Sequence, residues 1–406
     1  NNGLAALPPM GWRSWNLYGG NVDQQKIEVI MEGMVRRDPR YTVDGVPTSL
    51  CDLGYCDVGL DDNWQVCGEF GSEGYTYHED DGSPVINLER FPSLKNMTDK
   101  AHSLGLYAGW YGNNCICSDS KIGDRKFYEG DVKALRDLGF DSYKLDGCGA
   151  QTDMQLWDDV IQASKPTTGR ESIMVENCHW GSKVPYKPNS TWCPWNFYRT
   201  SGDVRANYIS VVGNLQTTIE YAEQNLSYPG CWAYPDMLEV GVLHTPFGGD
   251  NGLTIEETRA HFGSWAIVSS PLTLSHDVNN QTIQDAIWPL ISNKEVIAVS
   301  QSYAGHSGSP FKSSTTLLTL AEVNPAAMSK YMSATEMSAV GPLTVPLFQY
   351  FYKPMVADGS RTAVLLMNHG SSAVDLTLEF ADIPGLKCTT CKLRNIWNHV
   401  DLGSFD

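Results

Sequence analysis

The sequence predicts a (β/α)8, or TIM, barrel followed by a C-terminal antiparallel β-sandwich, and three observations predict it. Short β-rich runs alternate with helix-period stretches from the N-terminus to about residue 300. Eight such runs occur, and none is followed by the Gly-rich dinucleotide turn that opens a doubly wound sheet. After about residue 305 the helical period gives way to short alternating runs. The expected division is a barrel over residues 1–305 and a sandwich over residues 306–406.

In chain order the expected barrel strands are Gly11–Asn16, Cys56–Asp62, Gly105–Trp110, Ser142–Gly147, Ser172–Cys178, Phe197–Asp203, Gly230–Met237 and Pro271–Asp277. Each is a short β-rich run set between helix-period stretches. Between them the 3.6-residue period marks helices over Gln24–Arg37, Asp131–Leu138, Ala206–Glu223 and Ile255–Ser269, and Gly139 is a suitable stop for the second. The later runs Thr315–Leu320, Phe348–Tyr352, Thr362–Met367 and Ala373–Phe380 are expected as sandwich strands, with Asp358-Gly359 as a hairpin turn.

Composition narrows the partners. The net charge of −18 repels phosphate backbones and anionic lipid, which excludes nucleic acid as a partner. No apolar run of transmembrane length occurs, so no membrane span is expected. Eleven cysteines without zinc-ribbon spacing favour disulfides with one thiol left over. Sequons at Asn96, Asn189, Asn225 and Asn280 point with them to a secreted, lysosomal or vacuolar glycoprotein carrying N-linked glycans. Twelve tryptophans suit packing against sugar faces but also serve any core.

Three groups of ionisable residues carry the chemistry. In Asp141-Ser-Tyr-Lys-Leu-Asp-Gly-Cys148, strand alternation puts Lys144 and Asp146 on one side, where they emerge at a barrel mouth. Arg199 and Asp203, four residues apart, form a second pair on a later strand. Retaining glycosidases need two such carboxyl groups, one a nucleophile and the other an acid/base whose pKa is raised by its neighbour. In Gly59-Leu-Asp-Asp-Asn-Trp64, Asp61 and Asp62 can each hold sugar hydroxyls through two oxygens. The competing readings are structural ion pairs for the first two groups and a calcium site for the third, but Asn63-Trp64-Gln65 lacks the alternating oxygens of a calcium loop.

These residues resemble glycoside hydrolase family 27, the α-galactosidases and α-N-acetylgalactosaminidases. The resemblance rests on Pro9-Met-Gly-Trp-Arg-Ser-Trp-Asn16, Leu60-Asp-Asp-Asn-Trp64, Gly105-Leu-Tyr-Ala108, Lys144-Leu-Asp-Gly-Cys148, Arg199-Thr-Ser-Gly-Asp203, Tyr234-Pro-Asp-Met-Leu238, Ser270–Asp277 and Trp397–Phe405. It implies a retaining exo-glycosidase acting on terminal α-galactosyl groups of oligosaccharides or glycoconjugates, with Asp146 as nucleophile, Asp203 as acid/base and no metal or organic cofactor. It also implies that Asp61, Asp62 and Lys144 hold O6, O4 and O3, that Arg199 reaches O2, and that Trp15, Tyr107 and Asp236 line the pocket.

Departures from the family pattern bear on specificity. Cys178-His179-Trp180 stands where the family usually has Cys-Glu-Trp, so His179 would meet the 2-hydroxyl beside Trp180. The small residues that admit a 2-acetamido group are absent, Tyr234 replaces a family Asp, and Asn63 replaces a frequent Cys. By resemblance Cys148 pairs with Cys115 or Cys117, Cys178 with Cys193, and Cys388 with Cys391. The family sandwich continues beyond the Asp-Leu-Gly-x-Phe motif, so an open edge is expected near Asp406, to be covered by further residues, a partner chain or a second copy. The competing functions are an α-N-acetylgalactosaminidase or related glycosidase with altered C2 recognition, and a sugar-binding or structural glycoprotein with weak catalysis on the same fold.

Overall fold

The computed structural model describes residues 2–166, 169–179, 187–243, 252–320 and 343–406. Its centre is a curled sheet of eight parallel strands, one for each run expected from the sequence. They are β1 (Met10–Arg13), β2 (Asp57–Gly59), β3 (Tyr107–Gly112), β4 (Ser142–Asp146), β5 (Met174–Cys178), β6 (Phe197–Arg199), β7 (Trp232–Tyr234) and β8 (Leu272–Leu274). Spatial order follows the chain from β1 to β7, with β8 beside β1. At the remaining seam, Leu238 N donates to Thr273 O at 2.8 Å, so a loop bond joins the β7 side to β8.

Helices cover the outside because each presents an apolar stripe to the sheet. Helix α1 (Gln24–Val35) buries Ile27, Ile30, Met31 and Met34, and Asp23 caps it by accepting from Lys26 N. Helix α2 (Arg125–Leu138) starts six residues before the expected Asp131 and stops at Gly139, whose φ of +81° suits glycine. The expected helix Ala206–Glu223 divides into Tyr208–Gln216 and Ile219–Glu223, and Ile255–Ile267 opens with a capping box between Thr254 and Glu257. Trp12, Trp64, Trp110, Trp157, Trp195, Trp232 and Trp265 are all fully buried, so most of the tryptophan content fills core.

Beyond Ser300 the strands are antiparallel, in small sheets. Ser309–Ser313, Phe348–Pro354 and Thr362–Asn368 form one, while Leu317–Leu320 pairs with Leu343–Pro346 and Cys391–Asn395 with Val400–Phe405. Gly359, at φ +73°, makes the expected turn after Asp358. Ala373–Phe380 forms no ladder; Tyr350 Oη donates to Thr377 O at 3.1 Å instead. The sheets are fastened to the barrel helices by polar contacts, including Lys353 Nζ to Val299 O at 2.5 Å and Asn293 Nδ2 to Ile396 O at 2.8 Å. Val400–Phe405 is exposed along its length and pairs, among the described residues, only with Cys391–Asn395.

Candidate active site

Asp146 ends β4 and therefore stands at the C-terminal mouth, where barrel loops converge. Tyr143, one side of the alternation, points outward and packs edge-on against Trp157 on the covering helix Met154–Ala163. Lys144 and Asp146 take the other side, as expected. The Asp146 carboxylate accepts from Tyr111 Oη at 2.7 Å and from Gly147 N at 2.6 Å. Strand register carries this level around the barrel: Asp146 lies beside Cys178, and Arg199, one residue past the Asn177–Tyr198 pairing, lies beside Tyr234. Arg199 Nη1 reaches Cys178 Sγ at 3.5 Å.

Arg199 is fully buried and grips two carboxylates, Asp203 at 3.1 Å and Asp236 at 3.0 Å. Their environments differ. The Asp203 side chain is 56% exposed, whereas Asp236 is buried and also accepts from Val204 N at 2.9 Å. Burial pushes Asp236 above its ordinary value despite Arg199. At Asp203 the partial loss of solvent in the mouth favours the protonated acid, but Arg199 and Lys144 outweigh it and hold the carboxyl below its ordinary value. This reverses the upward shift expected from the sequence, because a cation in contact dominates over a second carboxylate.

Below the mouth, Lys144 Nζ donates to Asp61 at 2.9 Å. Burial favours a neutral amine, yet Asp61 reverses that preference and keeps Lys144 charged. Arg13 lies 3.7 Å from Asp61 and 3.0 Å from Glu176. Its guanidinium fits because β1 pairs Arg13 with Gly59, where a Cβ would come within 3.0 Å of Arg13 Cζ. Arg13 and Glu176 were not singled out from the sequence; a charged residue inside an otherwise apolar barrel strand is the signal that marks them.

Asp62 differs from its neighbour. It is fully buried, and its carboxylate accepts from Asn63 N, Gln65 Nε2, Cys115 N and Ile116 N at 2.6 to 3.0 Å. These four bonds engage both of its oxygens and tie the loop after β2 to the loop after β3. Burial, against those bonds, pushes its pKa up to about 6.

One expected residue takes another place. Tyr107 begins β3 opposite Asp57, at the N-terminal end of the barrel, and stacks under Arg170 with the guanidinium 3.2 Å from the ring centroid. Tyr111, four residues on and on the same strand face, is the tyrosine at the mouth, where its ring also lies 5.1 Å from Lys144 Nζ. Trp15, in a one-turn helix after β1, is partly buried against the cluster of Phe197, Trp232, Tyr234 and Met237. His179 is buried, with Nε2 3.4 Å from Asn113 Nδ2 and its ring beside Gly147. Trp180 lies outside the described residues.

The disulfides also correct one expectation. Cys115 pairs with Cys148, Cys117 with Cys67, Cys51 with Cys56 and Cys388 with Cys391. Cys193 pairs with Cys231, not with Cys178, which is a buried free thiol. Cys178 faces the barrel interior beside Arg199, away from the outer loop that carries Cys193. Asp146 lies close to Cys115 and Cys148, but that disulfide engages both sulfurs, so the three do not form a metal-ligand set.

Comparisons with known proteins agree with one another. The family described as Alpha galactosidase A matches residues 7–302. An alpha-galactosidase of Cyamopsis tetragonoloba is 30% identical over 98% of this chain and 81% of its own length, and Alpha-galactosidase 2 of Arabidopsis thaliana is 30% identical over 98% and 85%. Among solved structures, the α-galactosidase of Saccharomyces cerevisiae superposes with a TM-score of 0.74 at 22% identity, covering 98% of this chain and 84% of that one. Alpha-galactosidase I of Mortierella vinacea superposes with a TM-score of 0.67 at 26% identity, covering 100% and 94%.

Proposed function

The chain belongs to glycoside hydrolase family 27, the α-galactosidase family, and from that premise we propose how its own residues carry out the reaction. It is a retaining glycosidase that releases terminal α-galactosyl groups by double displacement. The observation that supports the residue assignment best is the shared level of β4, β5 and β6, on which Arg199 contacts both Cys178, the register neighbour of Asp146, and Asp203.

Asp146 attacks the anomeric carbon while Asp203 protonates the departing glycosidic oxygen, giving a covalent galactosyl-enzyme. Tyr111 and Gly147 N hold the attacking carboxylate in one orientation. Asp203 then deprotonates the water that opens the intermediate, and the two inversions restore the α configuration. Asp61 and Lys144 bind ring hydroxyls as a donor–acceptor pair. Asp236 holds Arg199, and Trp15 offers an apolar wall.

The lowered pKa of Asp203 gives Arg199 a second task. When a sugar hydroxyl engages the guanidinium and the ring covers the mouth, Asp203 loses part of its counter-charge and its solvent. Both changes raise its affinity for a proton as the acid is needed. C2 adjoins the carbon that Asp146 attacks, so His179, which follows the end of β5 beside Gly147, and Arg199, which ends β6, are the groups assigned to O2. The disulfides and the exposed sequon asparagines Asn96, Asn189, Asn225 and Asn280 support a glycosylated protein of an oxidising, secretory or vacuolar compartment. No helix among the described residues is long and apolar enough to cross a membrane.

Proton NMR of p-nitrophenyl α-galactoside hydrolysis tests this assignment, with α-galactose expected as the first-formed sugar. The β-anomer appearing first would overturn double displacement. Turnover of the 2-acetamido-2-deoxy analogue in place of the galactoside would overturn the assignment of a 2-hydroxyl to Arg199 and His179.

A further inference from the structure

Asn113 is a buried polar residue to which the reaction assigns no step. This residue follows β3, is fully buried and holds φ at +55°, a left-handed conformation that few side chains adopt. Its side-chain amide touches both ends of the turn after β4. Nδ2 donates to the backbone carbonyl of Asp146 at 2.6 Å, and Oδ1 accepts from Gln151 N at 3.0 Å. Its own carbonyl accepts from Gly149 N at 3.2 Å. Gly149 leaves the amide its space, since a Cβ there would sit 2.3 Å from Asn113 Oδ1.

The far side of the turn is anchored in its turn. Gln151 Nε2 donates to Asp131 at 2.7 Å, and Asp131 contacts the buried His78 at 3.1 Å. The Cys115–Cys148 disulfide links the same two loops covalently, two residues beyond Asp146.

We infer that Asn113 is a positioning residue for the nucleophile, its amide clamping residues 146–151 so that the Asp146 carboxylate stays aimed beside Tyr111 Oη. The inference rests on the assignment of Asp146 made above. Misplacement of a nucleophile by about 1 Å costs on the order of 10²-fold in rate without weakening ground-state binding in proportion.

The test uses the full chain and p-nitrophenyl α-galactoside, with the inhibition constant of free galactose and the thermal midpoint measured on each variant. Asn113→Gly removes the clamp while suiting the backbone angle. Gly149→Ala, at a residue without a left-handed φ, displaces the same amide from the opposite side. Each is expected to lower kcat about 10- to 100-fold while KM and the galactose inhibition constant, through the 3.4 Å contact of the same amide with His179 Nε2, rise no more than about fivefold. In the double variant the alanine has nothing to displace, so it should lose no more than Asn113→Gly alone.

Native kcat in either folded variant would overturn the inference, as would losses that multiply in the double variant or a galactose constant that worsens in step with kcat. If Asn113→Gly fails to fold, Gly149→Ala alone decides by the same split of kcat from KM. Asp146→Asn separates the two levels: native turnover there would remove the nucleophile assignment itself, whereas a dead Asp146→Asn beside an active Asn113→Gly removes only the clamp.

Discussion

The two acids assigned to the reaction are held in opposite ways. Asp146 ends a strand, accepts hydrogen bonds from a neutral phenol and a peptide N–H, and lies in a turn bound by a disulfide and a buried amide. Asp203 lies beyond the end of its strand, more than half exposed, with a guanidinium as its direct side-chain partner. The difference fits the work of each. A nucleophile must be fixed in direction and remain ionised, whereas an acid/base must change protonation twice per turnover, which a movable counter-ion permits.

The largest expected effect breaks the comparison outright. Asp146→Gly and Asp203→Gly should each lose activity on p-nitrophenyl α-galactoside, the first by about 10⁴-fold or more and the second by about 10² to 10⁴. Added azide should yield β-galactosyl azide from Asp146→Gly and α-galactosyl azide from Asp203→Gly, because it enters from the face each deletion opens. The same anomer from both variants would show that the roles are wrongly divided.

A smaller effect concerns the counter-ion. Arg199 holds Asp203 below its ordinary pKa, so the protonated acid is lost at a lower pH than it would be without the guanidinium. Arg199→Met should therefore move the alkaline limb of kcat/KM to higher pH, even as activity falls. An alkaline limb that stays in place or moves down would separate Asp203 from that limb.

The smallest effect sharpens the nucleophile side. Tyr111→Phe deletes the hydroxyl on Asp146 and should lower kcat about tenfold, whereas Tyr107→Phe, at the other end of β3, should change it less than about twofold. Reversed magnitudes would return Tyr107 to the pocket.

That pair of tyrosines shows what can be read from sequence and what cannot. All eight strands and the inward side of Lys144 and Asp146 are legible, since a period of two and short turn-bounded runs specify them. Depth along a strand is not. Tyr107 and Tyr111 share a face, so periodicity and motif matching favour neither, although about 13 Å of extended chain separates them. Asp62 shows a similar limit: two adjacent acids look alike until backbone N–H groups from a distant loop close over one. The clamp of Asn113 on Asp146 and Gln151 joins loops more than thirty residues apart, and no local signal announces it. Cys193 likewise found Cys231 because the barrel turns Cys178 inward.

That inward sulfur bears on how the chain reaches its oxidised form. Thiol–disulfide exchange needs a thiolate with a path to another sulfur. Burial raises the pKa of Cys178 far above its ordinary value, and the walls of β4, β5 and β6 close off the path. Assembly of those strands thus withdraws the unpaired cysteine from exchange. Where the barrel forms first, Cys193 meets Cys231 without a rival; where oxidation runs ahead of it, Cys178 is the natural competitor for scrambling.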